Sequence, residues 1–107
     1  MQADIRLIIH HAEVEIRAIA KQDVSHCLVD CIGPLGTMPS SLGVWVKTKT
    51  DEERDLLSCK PELQDKFRDV FRSRGYPEQA ISGIAFAFQS QETVDRDFGG
   101  NWGYAMR

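Results

Sequence analysis

The chain has 107 residues, of which 42% are hydrophobic and 27% are charged, and its formal net charge is −3. This composition is that of one folded domain and excludes a disordered or low-complexity chain. The acidic balance argues against a nucleic-acid-binding protein, because such a protein usually carries an excess of Lys and Arg. We therefore predict a single domain over residues 1–107 that binds no nucleic acid.

The cysteines and the N-terminus bear on the compartment. The chain has an odd number of cysteines, Cys27, Cys31 and Cys59. Charged residues such as Asp4 and Arg6 stand where a secretory signal needs an apolar core. No apolar run is long enough to cross a membrane. These features predict a cytoplasmic protein with reduced thiols and no membrane contact.

Residues 3–21 are predicted to form the first helix. Their apolar residues recur at helical spacing, at Ile5, Ile8, Ile9, Ala12, Ile16, Ile19 and Ala20. Val14 to Ala20 also alternates with charged residues, which is the period of a strand. We favour the helix because the helical spacing extends over the whole segment.

Two strands follow, over residues 27–32 and 44–48. Gly33 and Pro34 end the first of them, because proline has no N–H to donate and glycine relaxes the backbone. The connecting loop, residues 33–43, is long for a link between two strands, and loops of this length often border a site.

Two helices are expected between residues 50 and 74. Thr50 and Glu53 have the spacing of a capping box, which begins a helix and accounts for the acidic run after Thr50. That helix breaks near Lys60-Pro61. Pro61 begins the second helix, which ends near Arg74 and has an apolar stripe of Leu63, Phe67, Val70 and Phe71.

The third strand is expected within residues 81–88. Ile84, Phe86 and Phe88 would share one face, and Ala85 and Ala87 the other. Because helices separate this strand from the second, we predict a β-α-β unit with parallel strands and a right-handed crossover.

The C-terminal residues permit two interpretations. Ser90 is placed to cap a helix over residues 91–98 that stops at Gly99. The alternative is a hairpin that turns at Gly99-Gly100. We favour the helix because Asp95-Arg96-Asp97 suits a strand poorly. Alternation of the large residues in 102–106 with small ones then predicts a final short strand.

Together these elements predict an α+β fold in the order α-β-β-α-β-α-β. We expect a mixed sheet of three or four strands, with helices packed mainly on one face. The first helix and the helix over residues 61–74 would cover that face.

The C-terminal segment holds the candidate binding residues. Large aromatic side chains close to an arginine and to acids are typical of protein contact surfaces. On this basis we predict a binding surface made of Asp95, Arg96, Asp97, Asn101, Trp102 and Tyr104.

Catalytic and metal-binding motifs are not found in the sequence. Cys27 and Cys31, four residues apart in a strand, would lie roughly 13 Å apart, which is too far for one zinc ion. His10, His11 and Glu15 do not make a complete ligand set. We therefore predict no catalytic residue, no metal and no cofactor.

Three functions remain open. The preferred one is a non-enzymatic protein-binding module, of a regulatory, inhibitory or immunity type, that uses the C-terminal aromatic and acidic surface. The first alternative is a small enzyme or small-molecule-binding protein. Its cleft would lie between loop 33–43 and residues 90–104, with Asp95, Arg96, Asp97 and His26 as its polar groups. The second alternative is a homo-oligomer that pairs through the final strand.

Overall fold

The computed structural model describes residues 4–33 and 41–106. In chain order the elements are α1 (Ile5–Ala20), β1 (Cys27–Ile32), β2 (Gly43–Thr48), α2 (Asp51–Ser58), α3 (Pro61–Ser73), α4 (Glu78–Ile81), β3 (Ala85–Ser90), α5 (Gln91–Asp97) and α6 (Trp102–Ala105). The predicted α+β class is confirmed. Within these residues, no helix is both long and apolar enough to cross a membrane.

The described strands form a mixed sheet with β2 in the centre, in the order β1-β2-β3. β1 is antiparallel to β2, with Val29 opposite Val46. β3 is parallel to β2, with Phe88 opposite Val46. The parallel pairing predicted for the second and third strands is therefore confirmed.

The core lies between one face of the sheet and the helices. Val44 and Val46 of β2 are fully buried, as are Phe67 and Phe71 of α3. The ring centroid of Phe67 lies 5.6 Å from that of Phe86 on β3. The stripe of α1 completes this core with Ile8, Ile9, Ala12, Ile16 and Ala20. The apolar faces predicted for α1 and α3 are thus the faces that pack inward.

The helix starts follow the capping signals. Thr50 and Glu53 form the predicted capping box at the start of α2. The Ser90 side chain accepts the N–H of Thr93 and begins α5. Gly99 and Gly100 follow α5 with positive φ angles of 59° and 80°, a region that L side chains rarely adopt. The helical interpretation of residues 91–97 is therefore confirmed, and the hairpin alternative is wrong.

Two predictions about the later elements are wrong. The final strand is instead the short helix α6, because the Asn101 side chain accepts the N–H of Tyr104 and turns the chain. The third strand begins at Ala85 rather than near Ile81, because Pro77 and Glu78 begin the short helix α4. The predicted element order therefore fails at its last position and lacks α4.

Candidate functional site

The sheet has a second face that α1 and α3 do not cover. We call it the open face, and its residues alternate along each strand with those of the core: Leu28, Asp30, Ile32, Trp45, Lys47, Ala85 and Ala87. Leu28 is 59% exposed and Ile32 is 47% exposed. Leu28 and Ile32 are therefore accessible to solvent on the same face, and the half-buried Trp45 lies beside them on the neighbouring strand.

The C-terminal residues border the open face through Trp102. The Nζ of Lys47 lies 4.7 Å from the centroid of the Trp102 ring, within cation–π range. The Nε1 of Trp102 donates a 2.8 Å hydrogen bond to the side chain of Gln91. Lys47 also forms an ion pair with Asp30. The half-buried Trp102 thus links α6 to the open face.

Asp95, Arg96 and Asp97 do not converge on one cleft. Asp95 accepts a hydrogen bond from the Gln91 amide at 2.8 Å. Arg96 donates to Asp97 at 3.2 Å and to Asp51 at 3.0 Å. All three predicted residues are exposed, and each carboxylate has its own donor.

Asn101 and Tyr104 belong to α6. The side chain of Asn101 serves as the N-cap of that helix. Tyr104 is 57% exposed. Among the predicted binding residues, the ring of Trp102 packs against Lys47 of the open face.

The structure also contains a polar cluster that the sequence did not predict, formed by Asp51, Ser90, Thr93, Arg54 and Arg96. The hydroxyls of Ser90 and Thr93 both donate to one carboxylate oxygen of Asp51. Arg96 donates to the other oxygen, and Arg54 donates to Thr93 at 2.8 Å. We call this the Asp51 cluster. It joins the starts of α2 and α5, which follow the parallel strands β2 and β3.

The hydrogen bonds of the Asp51 cluster favour the ionised form of the Asp51 carboxylate. The hydrogen bonds from Ser90 and Thr93, and then that from Arg96, hold the pKa of Asp51 well below its usual range. Asp97 and Asp51 raise the pKa of Arg96. Because its oxygens already accept these donors, Asp51 is suited to joining two helices rather than to accepting a proton from a substrate.

A groove runs along the outer edge of β1, between that strand and α1. One part, about 190 Å³, is lined by His10, Glu13, Val14, Arg17, Leu28 and Asp30 among others. A second part, about 370 Å³, is lined by Arg17, Lys21, Ser25, His26, Cys27 and Leu28. Arg17 and Leu28 line both parts, so we treat them as one edge groove. Sequence reasoning missed it because it depends on how α1 sits beside β1.

The predicted cleft between loop 33–43 and residues 90–104 gains no support from the described ends of that loop. The loop leads into β2 at Gly43, whereas α5 begins beside Thr48 at the other end of β2. A strand of that length separates them by about 17 Å. Residues 34–40 lie outside the described residues. His26 lines the edge groove, and it also lines a shallow pocket together with Lys47 and Gln91.

A metal site gains no support among the described residues. These residues place no three or more His, Cys, Asp or Glu side chains close enough together to hold a metal ion. Cys27 is buried, Cys31 is half-buried and Cys59 is exposed, and all are free thiols.

The thiols are expected to differ in reactivity. Burial raises the pKa of Cys27 to about 11 and that of Cys31 to about 12, so at pH 8 both are almost entirely protonated and react slowly. We expect iodoacetamide to modify Cys59 first in the native protein, and all three thiols in denaturant. Mass spectrometry of the labelled peptides measures this. Equal native labelling of Cys31 and Cys59 would contradict the burial of Cys31.

Comparison with known proteins gives no relative: no protein-family model, no curated protein and no solved structure matches this chain.

Proposed function

We propose that this chain is a non-enzymatic, cytoplasmic protein-binding module whose contact surface is the open face, with α6 at its rim. The observation that carries the proposal is the exposure of Leu28 and Ile32 on a sheet face that the helical layer leaves uncovered. Burying large apolar side chains stabilises a complex by about 25 cal/mol per Å² of area removed from water. Contiguous exposed apolar residues on a folded domain commonly mark an interaction site.

The rim has the composition of a protein contact. Trp102 is held in place by Lys47 and Gln91, so little conformational entropy is lost when a partner packs on it. Tyr104 is exposed on the same short helix. Aromatic side chains of this kind provide much of the binding energy in protein interfaces. The free thiols support the cytoplasmic assignment.

The test replaces Leu28 and Ile32 together by glutamate. The matched control is Leu56→Glu, because Leu56 is also exposed, at 41%, but lies on α2. Tagged wild-type and variant proteins are used to capture partners from extracts of the producing cells. We expect the control to retain the wild-type partners and the double variant to lose at least about 90% of them, because burying two unpaired carboxylates is strongly unfavourable.

The fold and the oligomeric state are measured on the same samples. Urea unfolding should give all three proteins similar midpoints, because the substituted positions are exposed. A photo-crosslinker at position 32 should form conjugates, and one at position 56 should not. If the double variant keeps every partner, or the position-32 crosslinker joins only two copies of this chain, the proposal is wrong.

A further inference from the structure

Among the described residues, the outer edge of β1 carries backbone groups that pair with no other strand. In the described part of the chain, β1 pairs with β2 on one side only. The Nε of Arg17 donates a 2.9 Å hydrogen bond to the carbonyl of Cys27, so this carbonyl points away from β2. In an antiparallel pair, alternate residues direct their backbone groups to the same side. Val29 and Cys31 therefore direct their N–H and C=O groups outward, at the spacing that a further strand needs.

The edge groove gives a further strand a place to lie. α1 forms one wall and β1 forms the other, and the two parts of the groove join at Arg17 and Leu28. Val14 of α1 is 58% exposed beside it, and Leu28 is 59% exposed. A strand in the groove would thus contact apolar side chains as well as backbone.

The two ends of the edge groove carry opposite charge. Arg17, Lys21 and His26 line the end next to Cys27. Glu13 and Asp30 lie at the other end, together with His10. Burial and the nearby charge of Asp30 raise the pKa of Glu13, although Asp30 also pairs with Lys47. Arg17 lies between the two ends, because it lines both parts of the groove.

From these three observations we propose that the edge groove binds an extended segment of another protein as a fourth strand, antiparallel to β1. The segment's acidic C-terminal end lies at Arg17 and Lys21, and its basic N-terminal end lies at Glu13. Backbone hydrogen bonds provide affinity and the charged ends set the direction, as in other cases of strand addition. This goes beyond the proposed function, because the edge groove is separate from the open face apart from Leu28 and Asp30.

A second copy of this chain fits the edge less well than a separate segment does. Pairing two β1 strands about a two-fold axis puts both α1 helices on the same side of the joined sheet. Because α1 already borders the free edge in each copy, the two helices would compete for the same space. A segment without a flanking helix avoids this conflict.

The probe is the free peptide KKVTVTEE, whose alternating valines and threonines favour a strand. Its control, EEVTVTKK, has the same composition. In the control the N-terminal ammonium group lies next to the two glutamates and the C-terminal carboxylate next to the two lysines, so the charges at each end partly cancel. Titration is followed by the amide signals of the ¹⁵N-labelled protein. We expect KKVTVTEE to bind about tenfold more tightly than EEVTVTKK, because its charged ends form several ion pairs at the ends of the edge groove. The Val29 and Cys31 amides should shift most.

Two further comparisons test direction and backbone pairing. Glu13→Lys combined with Lys21→Glu should lower the affinity for KKVTVTEE about tenfold and remove its preference over EEVTVTKK. Only alternate N–H groups of a bound strand face β1, so either the valine or the threonine N–H groups of the peptide donate to it. One peptide with both valines N-methylated is compared with one with both threonines N-methylated. One of the two should no longer bind, and the other should bind as the unmodified peptide does.

Several outcomes would overturn the proposal. These are no measurable binding of KKVTVTEE, equal affinity for the two peptides, equal effects of the two N-methylations, or shifts confined to the open face. A wild-type protein that is already a dimer, with protected Val29 and Cys31 amides, would show that a second copy takes the edge. Leu28 lines the edge groove as well as the open face, whereas Ile32 does not line the groove. Ile32→Glu alone should therefore weaken partner capture by the open face and leave the affinity for KKVTVTEE unchanged, so the two proposals can fail independently.

Discussion

Replacing Phe67 by alanine is expected to lower the free energy of unfolding by about 3–5 kcal/mol. Phe67 is fully buried on α3, and its ring contacts that of Phe86 on β3. Truncation removes apolar contacts and leaves a cavity that surrounding helices and strands fill only in part. Since small domains unfold with only about 5–15 kcal/mol, this one change removes a large part of the stability.

Urea unfolding followed by circular dichroism measures this effect. Leu56→Ala is the matched control, because Leu56 is exposed on α2, and its loss should be within about 0.5 kcal/mol. Phe67→Leu should fall between the two, since leucine refills part of the cavity. If Phe67→Ala and Leu56→Ala unfold at the same urea concentration, the packing of α3 on β3 is wrong.

Replacing Asp51 by asparagine is expected to destabilise the protein at neutral pH and to have less effect in acid. The hydrogen bonds from Ser90, Thr93 and Arg96 lower the pKa of Asp51 in the folded state. A carboxyl with a depressed folded pKa stabilises the fold fully above its unfolded value, near 3.8. That stabilisation is lost progressively as the pH falls through the folded value. The wild type should therefore approach the variant below about pH 4.

Unfolding at pH 7, pH 4 and pH 2.5 tests this expectation. Asp95→Asn is the control, because Asp95 is exposed and accepts a hydrogen bond from its neighbour Gln91 on α5. The control should track the wild type at each pH. A gap between wild type and Asp51→Asn that stays constant from pH 7 to pH 2.5 would show that the charge of Asp51 does not join α2 to α5.

The sequence was sufficient where local chemistry determines the structure. The capping box of Thr50 and Glu53 and the cap at Ser90 lie within single helical turns, so spacing alone identified them. The stripe of α3 marked Phe67 and Phe71 as core residues in the same way. The alternation of large and small residues in 102–106 led to the wrong prediction of a strand, because a pattern of five residues also fits a single turn of helix.

The candidate site depended more on tertiary structure. Arg96 pairs with its neighbour Asp97, as its position suggests, but also with Asp51, which is far from it in sequence. Spacing along the chain cannot reveal such a contact, because the parallel pairing of β2 and β3 brings the starts of α2 and α5 together. An uncovered sheet face follows from the predicted packing of the helices on one side, but the residues that share this face depend on the strand register, which the sequence did not give.

The central position of β2 has a consequence for the order of folding. Residues 33–42 connect β1 to β2, whereas the longer segment of residues 49–84, which includes α2, α3 and α4, separates β2 from β3. Loop-closure entropy and the search for non-local contacts make the second pairing the slower one. We therefore expect the β1–β2 hairpin to form before β3 docks. Until β3 docks, the Asp51 carboxylate lacks the hydrogen bonds that the hydroxyls of Ser90 and Thr93 donate in the folded protein.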